Sequence, residues 1–146
     1  MAEPADLLHL AARNMIQLVP QAVALGFELV STDTARGVMK APWRGDLTGD
    51  PVPGVIAGGA FTALLDPCCG LRIKAAIRDF WPTATLDLRI DYMRPAAPRA
   101  DVFAEAHCYK LTRTIAFVRA SAYDADPADP IATAQAAFVL NRPEGV

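Results

Sequence analysis

The stretch GVIAGGAFTALLDPCCG, residues 54–70, carries a single charge, Asp66, in a run that reads as the first half of a helix from about Gly58 to Arg78. So apolar a helix needs a partner surface, and the rest of the chain must supply it. At 100° per residue, Phe61, Leu64, Cys68, Leu71 and Ala75 share one stripe, the expected core contact. Gly59, Thr62, Ala63, Asp66, Cys69, Gly70 and Ile73 fall opposite, on a narrow seam of mostly small residues. A carboxylate buried there without a partner costs several kcal/mol or gives up its charge, so something must compensate it. Pro67 deletes one backbone hydrogen bond and predicts a kink or a break in the helix.

The remaining segments are of the kind that can cover such a helix. Residues 4–18 have helical spacing in Leu7, Leu8, Ala11, Met15 and Leu18, followed by a turn from Pro20 to Gly26. FELVSTD and RGVMKAPW read as two strands around a turn at Thr32–Arg36, and residues 42–54, rich in Pro and Gly, as a loop. After DFWP the period changes to two: Ala84, Leu86, Leu88, Ile90 and Tyr92 alternate with Thr85, Asp87, Arg89 and Asp91. Three further strands are expected at 101–111, 113–124 and 131–141. Segregated helices and strands predict an α+β fold in which an antiparallel sheet wraps one long helix. The length of 146 residues suits one domain, with residues 1–25 as an N-terminal helical segment.

Composition narrows the chemistry. A net charge of −2 argues against nucleic acid or an anionic membrane as partner, and no apolar run spans a bilayer. The start, MAEPADLLHL, lacks a secretory pattern, which makes the cytoplasm the expected location. Cys68, Cys69 and Cys108 have no metal or disulfide spacing, and His9 and His107 are too few for a histidine metal centre, so neither metal nor cofactor is expected. Ser31 and Ser121 lie outside any nucleophile elbow, and no phosphate-binding glycine pattern occurs. His107 and Cys108, adjacent on a strand, point to opposite faces. For an acyl hydrolase, Asp66 therefore leads as base or nucleophile.

Gly58 and Gly59 open the helix with unshielded N–H groups, donors of the kind that serve as an oxyanion hole. Eight residues, ~12 Å of helix, separate Gly58 from Asp66, too far for one carbonyl to touch both. A second, antiparallel copy of the helix across a twofold axis would bring them together, so a catalytic reading requires a dimer.

These residues resemble the hotdog-fold acyl-CoA thioesterases of the phenylacetate-degradation type, over roughly residues 27–141. That family shows Gly-x-x-His-Gly-Gly and an Asp nine residues after the His; here the stretch is Gly54-Val55-Ile56-Ala57-Gly58-Gly59, with Asp66. A following strand with Thr85 and the ending Tyr92-Met93-Arg94-Pro95-Ala96 fits too, as do the alanine-rich strands VFAEAHCY and IATAQAAFVL. The resemblance implies a hotdog homodimer, often paired into a tetramer, acting on acyl-CoA or another acyl-thioester. It assigns the Gly58 N–H to the thioester carbonyl, the partner subunit's Asp66 to general base or nucleophile, and Thr85 to placing water or that carboxylate. Ala57 and Gly59 flank the substrate, and Arg94 and Arg113 are candidates for CoA phosphates. Trp43 and Trp81 flank the helix, where packing is the expected role. Three positions depart from the pattern: Ala57 replaces the His, Pro51 stands where some relatives carry Asn, and Thr112-Arg113 replaces a Gly-Arg. The missing His keeps open a second reading, a non-catalytic module that binds an acyl-thioester or another apolar ligand.

Overall fold

The computed structural model describes residues 4–32 and 36–145, with side chains from His9 onward. Helices α1 (Pro4–Gln17) and α2 (Pro20–Ala24) precede strands β1 (Glu28–Thr32) and β2 (Gly37–Ala41). A 3-10 turn (Gly45–Leu47) leads into the short strands β3 (Thr48–Asp50) and β4 (Val55–Ile56). The long helix α3 (Gly58–Ile77) follows, then β5 (Thr83–Tyr92), β6 (Val102–Leu111), β7 (Ile115–Tyr123) and β8 (Ala132–Leu140). Six strands form one antiparallel sheet in the order β1-β2-β6-β7-β8-β5, while β3 and β4 make a separate ribbon. This is the α+β arrangement expected, a sheet around one long helix.

Why the sheet can close so tightly on α3 is legible in its inner face. Strands β2, β6, β7 and β8 alternate buried with half-buried or exposed positions. The buried set is largely alanine: Ala104 and Ala106, Ala116, Ala120 and Ala122, Ala132, Ala134 and Ala136. Small residues on the sheet leave room for large ones on the helix, where Phe61, Leu64, Leu65, Leu71 and Ile73 are buried. Each such side chain contributes about 1.5–3 kcal/mol by leaving water.

Several local expectations change. The Pro20–Gly26 turn contains the helical turn α2, started by a proline at its first position, where no N–H is needed. The 42–54 loop carries the 3-10 turn and β3. Most of the turn expected at Thr32–Arg36 lies outside the described residues. Helix α3 runs unbroken through Pro67 and ends at Arg78, which takes the left-handed conformation at φ 55°. Burial covers more of α3 than one stripe: Leu65, Cys69 and Ile73 join the core, and even Arg72 is only 5% exposed. The enclosed arc spans roughly 200° at 100° per residue. What stays uncovered is a narrower stripe through Gly59, Ala63, Asp66 and Gly70.

Strand β5 departs most. Its pairing with β8 slips between Thr85 and Asp87, so Leu86 is an extra residue in a β-bulge. Strict alternation would put Thr85 on the outer face with Asp87, but the bulge turns it toward α3 and turns Ala84 outward. As an edge strand, β5 also leaves apolar groups uncovered in the single chain: Leu86 is 58%, Tyr92 55% and the following Met93 58% exposed. The opposite edge, β1, is covered by α1.

The division of bulk between helix and sheet gives a direct expectation. Leu64→Ala should lower the urea unfolding free energy by about 2–5 kcal/mol. Ala106→Leu, which forces bulk into the alanine face, should cost about 1–3 kcal/mol in the same measurement.

Candidate active site

The start of α3 is held by the loop before it. Gly54 adopts φ +72°, and its carbonyl accepts hydrogen bonds from the Trp43 indole N–H (2.8 Å) and the Arg99 N–H (2.8 Å). A Cβ on Gly54 would stand 3.0 Å from Arg99 Cγ and 3.3 Å from Trp43, so only glycine fits there. The Trp43 N–H is fixed in turn by Asp101 Oδ1 at 2.7 Å. Ala57 is extended (φ −65°, ψ 145°), donates its N–H to the Leu47 carbonyl at 2.8 Å and makes no side-chain cap. The N–H groups of Gly58 and Gly59 precede any intrahelical acceptor, and both residues are exposed. The α3 dipole favours negative charge at this point.

Two turns along, Asp66 lies half-buried on the uncovered stripe and accepts a hydrogen bond from the Thr85 hydroxyl at 2.8 Å. This is the partner the sequence demanded, and the β5 bulge delivers it. One Asp66 oxygen thereby points in a fixed direction, while the small neighbours Ala63 and Gly70 leave its approach open.

The structure therefore groups Ala57, Gly58 and Gly59 at the helix start and Asp66 with Thr85 at mid-helix. The two arginines lie at opposite ends of the sheet. Arg94 follows β5 at the helix-start end of the sheet and directs all five of its N–H donors at protein oxygens. Asp124 takes two (2.8 and 3.0 Å), the Asp129 side chain and carbonyl one each (3.3 and 2.8 Å), and the Pro95 carbonyl one (3.1 Å). Asp124 also accepts the Ala97 N–H at 2.8 Å. Arg94 thus clamps the loops after β5 and β7, and its fork is already filled by carboxylates and carbonyls. Arg113 is exposed at the β6–β7 turn, beside the end of β8 and the start of β5, at the opposite end of the sheet. Pro51 is exposed in the loop between β3 and β4.

The thiols sit in environments that keep them protonated. Burial pushes Cys68 up to about 12, raises Cys69 well above the usual thiol range, and raises Cys108 despite the nearby Arg72 charge. Trp81 packs under the Arg142 guanidinium, 4.6 Å from its ring centre, and its carbonyl accepts the Lys74 ammonium. Among the described residues no group of three or more His, Cys, Asp or Glu side chains could hold a metal ion, and no helix is long and apolar enough to cross a membrane.

One residue at the helix start carries more than its sequence pattern suggested. Tyr92 lies over Gly58: a Cβ there would meet its ring at 3.3 Å. Its hydroxyl is 2.9 Å from Thr62 Oγ1 and donates to the Gly58 carbonyl at 3.3 Å. Nothing in the spacing of an alternating strand marks its last residue as touching a helix terminus.

Two clefts, of about 350 and 550 Å³, open on the outer face of the sheet around Arg119, on the side away from α3. They lie across the sheet from Asp66 and Gly58.

A family model described as the thioesterase superfamily matches residues 53–131, from the loop before α3 to the end of the β7–β8 connection. A Halobacterium salinarum protein named for a suspected esterase activity is 29% identical over 109 residues, 72% of this chain and 71% of its own length. A crystal structure of a Pseudomonas aeruginosa protein superposes with a TM-score of 0.84 at 38% identity, covering 90% of this chain and 98% of that one. The Escherichia coli PaaI protein, from the phenylacetic acid degradation operon, superposes at 0.81 with 14% identity, over 96% of this chain and 97% of its own, a likeness of fold.

The Arg94 clamp has a measurable pH signature. The guanidinium beside Asp124 holds its carboxyl well below the usual carboxylate range. A depressed carboxylate stabilises the fold above its unfolded pKa, about 3.9, and that stabilisation fades as pH falls below it. Asp124→Asn should unfold several degrees below the parent at pH 7 and by a similar margin at pH 5. The difference should narrow below about pH 4, as followed by thermal circular dichroism.

Proposed function

The chain belongs to the thioesterase superfamily, and from that membership we propose that it hydrolyses acyl-CoA thioesters at a site shared by two copies of the chain. The observation that carries this reading is the Thr85-held Asp66 on the uncovered stripe of a helix whose N-terminal N–H groups are also exposed. One straight helix keeps the two groups ~12 Å apart. The second copy, running antiparallel beside the first, sets one protomer's Asp66 against its partner's Gly58 and Gly59. Gly59, Ala63 and Gly70 permit that close approach, and the open β5 edge with Leu86, Tyr92 and Met93 supplies apolar surface for the dimer.

In this site the thioester carbonyl oxygen accepts hydrogen bonds from the Gly58 and Gly59 N–H groups. Asp66 takes a proton from a water molecule whose oxygen attacks the carbonyl carbon. The negative charge that develops on the carbonyl oxygen meets preorganised donors at the positive end of α3. Collapse of the tetrahedral intermediate breaks the C–S bond, and the departing thiolate receives the proton from Asp66. The products are a carboxylic acid and free CoA. Direct attack by the Asp66 carboxylate through a mixed anhydride uses the same placement; where water opens that anhydride at the aspartyl carbon, single-turnover hydrolysis in ¹⁸O-water labels Asp66, which the general-base route never does. Thr85 fixes one carboxylate oxygen, leaving the other for chemistry. Arg113, exposed at its turn, remains the arginine available to a CoA phosphate, whereas the Arg94 fork is engaged within the protein. The activity needs no cofactor, and we place it in the cytoplasm, with two dimers pairing into a tetramer.

Ala57 favours one other reading. With a methyl group where the family pattern has an imidazole, the site could bind an acyl-thioester without turning it over. Efficient hydrolysis of any acyl-CoA removes that reading; tight binding without hydrolysis establishes it.

Asp66→Ala should lower kcat by at least about 100-fold across an acyl-CoA panel, with the dimer unchanged by light scattering. Thr85→Val should reduce kcat about 10-fold, since the carboxylate remains but loses its fixed direction. Unaltered turnover in Asp66→Ala would remove Asp66 from the mechanism.

A further inference from the structure

The two outer-face clefts mix arginines with Asp91 and Glu105 and so present no coherent charge for a ligand. The contacts above α3 are more specific. Tyr92 comes from the last position of β5, yet it touches the first turn of α3 in three ways: its ring against Gly58, its hydroxyl to Thr62, and its hydroxyl to the Gly58 carbonyl. A phenol has one proton. With that proton directed at the Gly58 oxygen, the Thr62 hydroxyl must donate to Tyr92, giving a chain Thr62 O–H to Tyr92 O–H to Gly58 C=O.

The Gly58 carbonyl and the Gly59 N–H belong to one peptide unit, so a hydrogen bond on the carbonyl side strengthens the N–H as donor. We propose that Tyr92 is a positioning residue that, with Thr62, pins and polarises the Gly58–Gly59 peptide so that the Gly59 N–H is oriented and strengthened for a developing oxyanion. For catalysis the proposal rests on the thioesterase reading; the state of the peptide itself does not. The 3.3 Å separation is longer than an ordinary O–H···O bond of about 2.5–3.0 Å, which leaves it room to tighten. Charge placed on the Gly59 N–H by an oxyanion pushes electron density onto the Gly58 oxygen and draws the Tyr92 hydroxyl in. The contact thus favours the transition state over bound substrate and acts on kcat rather than KM.

Tyr92→Phe keeps the ring over Gly58 and removes only the hydroxyl; Thr62→Val removes the upstream donor and Thr62→Ser restores it. Two readouts on the intact protein separate this proposal from the thioesterase reading. In steady-state hydrolysis of the best acyl-CoA, Tyr92→Phe should lose about 5–10-fold in kcat with KM within twofold. Thr62→Val should move in the same direction and Thr62→Ser should stay near the parent. In ¹H–¹⁵N spectra, the Gly59 amide proton of Tyr92→Phe should move upfield by more than the amides of Ala63 and Gly70, which lie on the same helix. Should the parent hydrolyse no thioester while the Gly59 amide moves, the functional reading falls and the peptide-polarising role of Tyr92 stands. If the Gly59 amide does not move, or an active parent loses no kcat in Tyr92→Phe, the positioning role is overturned.

Discussion

An apolar helix of twenty residues cannot be left half in water, and most of this molecule is the means by which α3 is enclosed. One helix presents little surface, so the sheet must curve around it rather than lie flat beside it. Curvature brings backbone close to backbone, which explains why the inner faces of β6, β7 and β8 are largely alanine where other sheets carry valine or leucine. The helix returns the bulk through Phe61, Leu64, Leu65, Leu71 and Ile73. Neither half would pack with an ordinary partner: a leucine-faced sheet could not close, and an alanine helix could not fill the space.

Enclosure also decides where chemistry can occur. With more than half of the circumference of α3 inside the core, a polar side chain near the middle of the helix has the stripe through Gly59, Ala63, Asp66 and Gly70 in which to remain accessible. Asp66 occupies that stripe, and its hydrogen-bond partner arrives from β5, the strand at the open edge of the sheet. The bulge at Leu86 is essential to this. A regular β5 would aim Thr85 outward, and the carboxylate would face the helix seam without a donor. An irregularity in pairing is thus what couples the strand to the site.

The large-scale arrangement was legible in the sequence because it follows from periodicity. A run of helical length with one charge, followed by strands of period two, leaves a wrapped helix as the consistent solution, and the strand limits differ from expectation by only a residue or two. The details that failed depend on what periodicity does not encode. Cys69 and Ile73 read as seam residues because a sequence gives the angle of a side chain about its helix but not the width of the surface opposite. Leu86 and Ala84 read as inward-facing because a bulge leaves the alternation of residue types intact while reversing its direction. The carboxylates that engage Arg94 are equally invisible to local spacing, since Asp124 and Asp129 lie some 30 residues away and converge only when β5 and β8 pair. Elimination points to Asp66 alone, and Thr85 enters only through the resemblance, since no local spacing joins residues on two elements.

The adjacent glycines show how one residue type can answer two different physical demands. At Gly58 the missing side chain is required from within: the Tyr92 ring already occupies the place a Cβ would take, 3.3 Å away. At Gly59 nothing stands within 4 Å of that place, so the protomer itself gives no reason for a glycine. In the dimer proposed above, a partner helix or a substrate approaching the backbone would supply that demand. The same asymmetry orients the helix start. Tyr92 covers one side of the first turn and Ala57 closes the other against the backbone of Gly49, which leaves the Gly59 side as the approach. In the antiparallel dimer proposed above, that open side faces the partner's uncovered stripe, where Asp66 lies. The vacant space at Gly59 and the accessible carboxylate are then two views of one gap, and the absence of a side chain at position 59 is what keeps it wide enough for a carbonyl to enter.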